Sequence, residues 1–234
     1  MTRAVLFDSL GTLVRMDAPG PHLRDELSAQ GISVTAERAA TAFRAEIAYY
    51  LEHHIEGRDE RSLAALRDRC AEVLRDALGE PALDIGTARR AMLASIRFAA
   101  YPDAAPALRA LRSRGLRLVV ASNWDCSLPR VLENVELMAL VDGVVTSAAL
   151  GVAKPARQFF DAALAAAGCG PGEAIYVGDS PTLDVQGAAA AGIPALLVRR
   201  DAPDAVGSLE EILSVISDDR FRIARYQSHR IDHL

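Results

Sequence analysis

Four separated groups of side chains in this 234-residue chain are of the types that handle anions and metals. Asp8 ends the apolar run Ala4-Val5-Leu6-Phe7, with Gly11 and Thr12 just beyond it. Ser122-Asn123 ends a second apolar run, Leu116 to Ala121. Gly178-Asp179-Ser180 ends another, Ala174 to Val177, and Asp184 follows five residues after Asp179. Lys154-Pro155 lies between the last two groups. Short unbroken apolar runs bounded by turn signals read as strands buried on both faces. Polar residues at their ends then stand at the rim of a sheet, where open α/β folds bind ligands. Two carboxylates with nearby backbone carbonyls make a hard, oxygen-rich site suited to Mg²⁺. Ser122, Asn123 and Lys154 supply hydrogen bonds and charge for an anion. Asp8 is a candidate nucleophile, since carboxylates form covalent intermediates in such sites. Gly11 permits a tight turn after it, and Thr12 is expected to hydrogen-bond that turn. Singly, each group has an ordinary reading: Ser122-Asn123 as a turn, Lys154 as a surface residue, Asp184 as the first turn of a helix. Together, at the strand ends of one sheet, they read as a site.

Lys154 is also the one lysine in the chain; the other 25 of its 26 basic residues are arginine. Arginine is a planar fork and lysine a compact point charge. A site that needs a compact cation explains the exception.

The elements that position these residues follow from periodicity. From Tyr101 onward, strands ending at Ser122, Thr146, Val177 and Val198 alternate with helices over 128–139, after Pro155, after Asp179 and over 208–216. Alternation of this kind predicts a doubly wound parallel sheet. Between the first two strands the pattern is helical only. Leu23 and Leu27 mark a short helix. Phe43, Ile47 and Leu51 mark one over 35–56, Leu66, Cys70 and Leu74 one over 60–78, and Met92 and Ile96 one over 86–98. Their apolar faces need a partner and most simply bury one another as a bundle. A crossover between parallel strands needs only a dozen or more residues, yet Asp8 and Leu116 lie 108 positions apart. The prediction is therefore an α/β sheet domain, residues 1–15 and 99–216, interrupted by a helical cap, 16–98, and followed by a tail, 217–234. Tethered beside Asp8, the cap should sit over the rim as a lid that excludes water.

Composition bounds the rest. Net charge is -5 with no acidic or basic block, so no nucleic-acid footprint is expected. The first apolar run breaks at Asp8, too early for a secretory leader, and no stretch is long enough to span a membrane. Cys70, Cys126 and Cys169 are scattered, without CxxC, and read as reduced thiols of a cytoplasmic protein.

The set Phe7-Asp8-Ser9-Leu10-Gly11-Thr12-Leu13, Ala121-Ser122-Asn123, Lys154-Pro155 and Gly178-Asp179-Ser180 through Asp184 resembles the haloacid dehalogenase superfamily, in the branch with a helical cap after the first strand of a Rossmann-like core. The resemblance implies a hydrolase in which Asp8 takes a phosphoryl group as an aspartyl phosphate. Ser122 and Lys154 would hold that group, with Gly11, Thr12 and Asn123 among the substrate contacts. Asp8, Asp179 and the carbonyl of Leu10 would bind Mg²⁺, with Asp184 ordering the metal's waters or Lys154. The substrate would be a small phosphorylated metabolite, and the protein a monomer or homodimer. One position departs from the pattern: phosphatases of the family carry a second Asp two residues after the nucleophile, as general acid, where this chain has Leu10. General acid–base help is worth about 10²–10⁴-fold, so a restricted substrate is expected. Family 2-haloacid dehalogenases also lack that Asp, attack carbon and need no metal, but they lack the Gly-Asp of the last motif. Phosphonate hydrolases need a cap lysine, and 16–98 has none. A non-catalytic, ligand- or partner-binding relative is the third alternative, opposed by the retention of Asp8, Ser122, Lys154 and Asp179. Arg15 is a candidate contact for a substrate anion, or else a solvated linker residue. Tyr49, Tyr50, His53 and His54 form i,i+4 pairs that line the lid or pack half-buried. The tail carries Arg220, Arg222, Arg225 and Arg230 in no motif; packing, self-association and loose order are all open for it.

Overall fold

The structure is a computed structural model that describes residues 2–200 and 208–217; the expected tail beyond 217 lies outside the described residues. In chain order the strands are β1 (Ala4–Phe7), β2 (Val14–Met16), β3 (Phe98–Ala100), β4 (Arg117–Ser122), β5 (Gly143–Thr146), β6 (Ala174–Gly178) and β7 (Ala195–Leu197). The helices are α1 (Pro19–Ser28), α2 (Ala36–His53), α3 (Glu60–Leu78), α4 (Ile85–Ser95), α5 (Ala104–Ser113), α6 (Leu128–Asn134), α7 (Ser147–Leu150), α8 (Arg157–Ala167), α9 (Gly187–Ala190) and α10 (Leu209–Ser217).

Five strands form the predicted parallel sheet, in the order β5-β4-β1-β6-β7. Side chains alternate across each strand, and both faces are buried. Val5, Phe7, Leu118, Val120, Ile175 and Val177 pack on the side of α5, α6 and α10. Ala4, Leu6, Val119, Ala121 and Tyr176 pack on the side of α8 and α9. Register sets the rim: Phe7 pairs with Val120 on one side and Val177 on the other. Asp8 therefore leaves the sheet level with Ala121 and Gly178, and Ser122 and Asp179 follow one residue later on the neighbouring strands.

Helices α1 to α4 bury Leu23, Leu27, Phe43, Leu66, Leu74 and Met92 in a second core of their own. Side-chain caps start three of them: Thr35 accepts from Arg38 N, Asp59 exchanges hydrogen bonds with Ser62, and Asp84 accepts from Thr87 N.

Three expectations need correction. The helix predicted over 86–98 ends at Ser95, because Phe98–Ala100 turns back to pair antiparallel with Val14–Met16. Helical periodicity cannot reveal a strand whose partner lies more than 80 positions away in the chain. This strand pair joins the helices to the sheet. The helix predicted over 128–139 ends at Asn134, since Glu136 adopts φ 60°, a left-handed conformation that a helix cannot pass through. After Asp179 the chain makes a widened π-type turn, Pro181–Gln186, before the short α9, rather than one regular helix.

Candidate active site

Asp8 is 5 % exposed at the end of β1. Its Oδ1 accepts from Ser122 Oγ at 2.9 Å and from Lys154 Nζ at 2.5 Å, which leaves Oδ2 without a hydrogen-bond partner among the described residues. Lys154 is equally buried, at 6 %, and its ammonium is shared three ways. Besides Asp8 it reaches Asp184 Oδ1 at 2.6 Å and the Tyr176 hydroxyl at 3.1 Å. Burial alone would push the Lys154 amine down, but Asp8, Tyr176 and Asp184 outweigh it and hold the pKa well above the usual lysine value. Lys154 therefore stays charged. The Asp8 carboxyl is raised as well: burial pushes it up, the Lys154 charge opposes this, and Asp184 adds to it.

Local structure explains how these groups are aimed. The turn after Asp8 closes on one carbonyl, Ser9 O, which accepts from the backbone N–H of Thr12, Leu13 and Val14. Gly11 sits in that turn at φ +83° and lies against Asp179; a Cβ there would stand 2.1 Å from Asp179 Oδ2. Gly178 makes a similar approach possible, since a Cβ on it would stand 2.3 Å from Asp184 Cγ. The widened turn after Asp179 brings Asp184 back under the strand end, as π-type turns often do at functional sites. There its Oδ2 accepts from Ser180 N at 2.9 Å while Oδ1 takes Lys154.

Carboxylate oxygens of Asp8, Asp179 and Asp184 all lie within 4.8 Å of one another. Burial, with Asp8 and Asp184 alongside, pushes the Asp179 carboxyl up to about 6. Three acids share one lysine, an uncompensated arrangement that a divalent cation would balance. A cluster of oxygen donors crowded by like charge suits Mg²⁺. The Leu10 carbonyl accepts no hydrogen bond among the described residues and remains free as a further oxygen donor.

Most of the residues expected from sequence therefore converge: Asp8, Gly11, Ser122, Lys154, Asp179 and Asp184. Others do different work. The Asn123 side chain clamps the Lys154 backbone, donating from Nδ2 to Lys154 O at 3.2 Å and accepting from Lys154 N at 2.8 Å. These two bonds fix the backbone that carries the lysine. Asp184, within the cluster, has one oxygen on Lys154 and the other on Ser180 N. The Thr12 hydroxyl is fully buried with no partner, so it does not hydrogen-bond the turn as expected. Arg15 pairs with Asp17 at 2.6 Å and is half exposed, which supports the linker reading over an anion contact.

Sequence reading missed Tyr176. Its ring is fully buried in β6, its hydroxyl donates to Ala121 O at 2.7 Å, and its ring lies 5.6 Å from Lys154 Nζ. The available signal was a tyrosine inside an apolar strand, which must find a partner for its hydroxyl. The particular hydrogen bonds between the helices and the rim carry no sequence signal. Tyr50 of α2 donates to Asp125 Oδ2 at 2.8 Å, and Cys126 N donates to Gly57 O at 2.8 Å. The loop after Ser122-Asn123 is thus held by the end of α2 and the turn before α3. Tyr49 and His53 stack at 4.2 Å, and Tyr49 accepts from Arg69, in keeping with packing.

Among the described residues no helix is long and apolar enough to cross a membrane. The chain is 42% identical over 96 residues to haloacid dehalogenase-like hydrolase domain-containing protein 3 from Bos taurus, covering 41% of this chain and 38% of that protein. It is 37% identical over 126 residues to phosphoserine phosphatase from Thermus thermophilus, covering 50% and 51%. The chain thus spans about half, or less, of the length of these curated relatives. Among solved structures, L-2-haloacid dehalogenase from Xanthobacter autotrophicus aligns over 92% of this chain and 83% of its own, at 25% identity and a TM-score of 0.62. The family described as haloacid dehalogenase-like hydrolase matches residues 2–192, spanning Asp8, Lys154 and Asp184, and this chain belongs to it.

Proposed function

We propose that this hydrolase is a Mg²⁺-dependent phosphohydrolase that acts on a small phosphorylated metabolite through Asp8. The observation that carries the reading is the crowding of Asp8, Asp179 and Asp184 beside one buried ammonium. A carbon-attacking dehalogenase, which needs no metal, has no use for such an excess of acid. The phosphatase named among the relatives supports the same choice.

On this reading Asp8 attacks phosphorus through Oδ2, while Ser122 and Lys154 hold Oδ1. The new bond is an acyl phosphate, and the bond from phosphorus to the leaving oxygen breaks. Leu10 offers no proton, so the leaving oxygen takes one from solvent. Water then attacks the phosphorus, which frees phosphate and restores the Asp8 carboxylate. The Lys154 ammonium, held beside Asp8, supplies positive charge next to the transferring phosphoryl group. Asp8, Asp179 and the Leu10 carbonyl would hold Mg²⁺, which offsets negative charge on the transferring group. Asp184, Asn123 and Tyr176 keep Lys154 in place. Residues 16–98 form the cap that excludes water over this rim.

Leu10 favours one second reading, a 2-haloacid dehalogenase in which Asp8 attacks carbon and halide departs. A panel of phosphate esters and 2-haloacids, assayed with and without Mg²⁺ for phosphate and halide release, separates the two. The expected result is phosphate release that requires Mg²⁺, stops with chelator and is abolished in Asp8→Asn. Halide release undiminished by chelator would hand the case to the dehalogenase.

A further inference from the structure

Behind the nucleophile turn, on the side away from Lys154, stands an arginine to which no step above gives a role. Arg200 follows β7, and the groups it touches come from widely separated parts of the chain. Its NH2 donates to the carbonyl of Thr12 at 2.7 Å, and its NH1 pairs with Asp103 Oδ2 at 2.6 Å. Its guanidinium lies 4.1 Å from the Tyr101 ring centroid. Asp103 Oδ2 also accepts from Leu209 N at the start of α10, and Tyr101 N donates to Leu13 O. The cluster is mostly buried: the Arg200 and Asp103 side chains are 16% and 14% exposed.

The geometry of the ion pair is informative. An arginine that meets a carboxylate freely makes two parallel hydrogen bonds. Here only one forms. Arg200 Nε and Asp103 Oδ1 are both buried without a hydrogen-bond partner. The guanidinium has given up the second bond to its counter-ion and turned NH2 onto the Thr12 carbonyl. Thr12 itself has no other side-chain tie, because its hydroxyl is buried and unpartnered. The turn that carries the free Leu10 carbonyl and presses Gly11 on Asp179 is therefore held from behind at Thr12 O and Leu13 O.

We infer that Arg200 is a positioning residue of the active site: through the Thr12 carbonyl it holds the Ser9–Leu13 turn in register with Asp179 and so sets the metal-binding geometry. This inference rests on the phosphohydrolase reading, in which that turn supplies the Leu10 carbonyl to the metal and directly follows Asp8. Asp103 acts on Arg200 and on α10, not on the turn, which allows the two roles to be separated.

The test uses the full chain and Mn²⁺ as the probe, with free Mn²⁺ measured by its EPR signal in the absence of substrate. Melting temperature and the kcat and KM for an aryl phosphate are measured alongside. Arg200→Lys keeps a charge for Asp103, but one ammonium cannot serve both Asp103 and Thr12 O. It is expected to melt near the wild type yet bind Mn²⁺ roughly tenfold more weakly, with kcat reduced. Arg200→Gln should lose both stability and Mn²⁺ affinity. Asp103→Asn weakens the ion pair and leaves the Thr12 contact, so it should melt lower yet bind Mn²⁺ as the wild type does. Wild-type Mn²⁺ affinity in Arg200→Lys, or an equal loss in Asp103→Asn, would show that Arg200 only braces the fold. Should Arg200→Gln not fold, Arg200→Lys against Asp103→Asn decides. A wild type that binds no Mn²⁺ would overturn the phosphohydrolase reading and this inference with it, whereas a binding wild type matched by Arg200→Lys overturns this inference alone.

Discussion

Lys154 and Leu10 set the chemistry at the scale of single residues. The Lys154 ammonium fits a shell of three oxygens at 2.5, 2.6 and 3.1 Å, each from a different strand or turn. A guanidinium is too wide for that shell and would have to displace Asp184 or Tyr176. Lys154→Arg is therefore expected to lower kcat on the order of 10²-fold, although charge is conserved. Steady-state kinetics on an aryl phosphate checks this, and an intact rate would show that the one lysine of the chain is incidental. Leu10 is 39 % exposed, so a carboxyl placed there would fit without being buried. With no proton donor at this position, hydrolysis should depend steeply on how readily the leaving group departs. Aryl and acyl phosphates should turn over, and alkyl phosphates barely. Leu10→Asp should raise the alkyl rate by up to about 10²–10⁴-fold and the aryl rate much less. The ratio of the two rates is the measurement. Equal responses would mean that the proton comes from elsewhere, such as the cap.

Among elements, the loop after β4 connects the two halves of the molecule. At one end Asn123 clamps the Lys154 backbone; at the other Asp125 accepts from Tyr50 and from Ser127 N. Burial, and Asp125 next, push the Tyr50 hydroxyl well above its ordinary pKa, so it remains a donor throughout the neutral range. Tyr50→Phe keeps the ring and removes the donor from a buried carboxylate. Loss of one such bond costs about 1–3 kcal/mol, or roughly 2–10 °C in melting temperature for a chain of this size. Differential scanning calorimetry measures it. A change below 1 °C would show that the helices dock on the rim by packing alone.

Across the whole molecule, one buried carboxyl lies outside the Asp8 site, within the helical bundle. Glu46 of α2 is 4 % exposed within the helical bundle, and burial, opposed by a hydrogen bond with Cys70, pushes its carboxyl up to about 7. Its ordinary value is 4.5. The folded protein therefore holds this proton more tightly than the unfolded chain does. The stabilising effect is fully present below about pH 4.5 and is lost as pH rises to about 7. The difference amounts to roughly 3 kcal/mol. Glu46→Gln carries no such penalty. It should be more stable than the wild type at pH 8 by up to that amount, with the gap closing near pH 4.5. Denaturant unfolding of both proteins at the two pH values tests this, and a gap independent of pH would refute it.

Much of this molecule was legible in order along the chain. Buried strands announce themselves as apolar runs, and Asp8, Ser122 and Asp179 stand where those runs stop. The chemistry of the site follows from those residue types: carboxylates for a cation and for nucleophilic attack, a hydroxyl and an ammonium for an anion. The α/β architecture and the helical insertion follow likewise from periodicity, a local property. What required the folded structure is everything set by contacts between distant segments. The β2–β3 pair exists only because Val14 and Ala100 meet. That Asn123 clamps the Lys154 backbone could not be read from spacing. That Asp184 pairs with Lys154 follows from the widened turn that seats it under Gly178. Tyr176, Tyr50 and Arg200 carry no motif, because each earns its role from a partner that sequence spacing does not specify. A hydrogen bond or ion pair depends on ångström distances and on shared desolvation, and chain order constrains neither once tens of residues intervene.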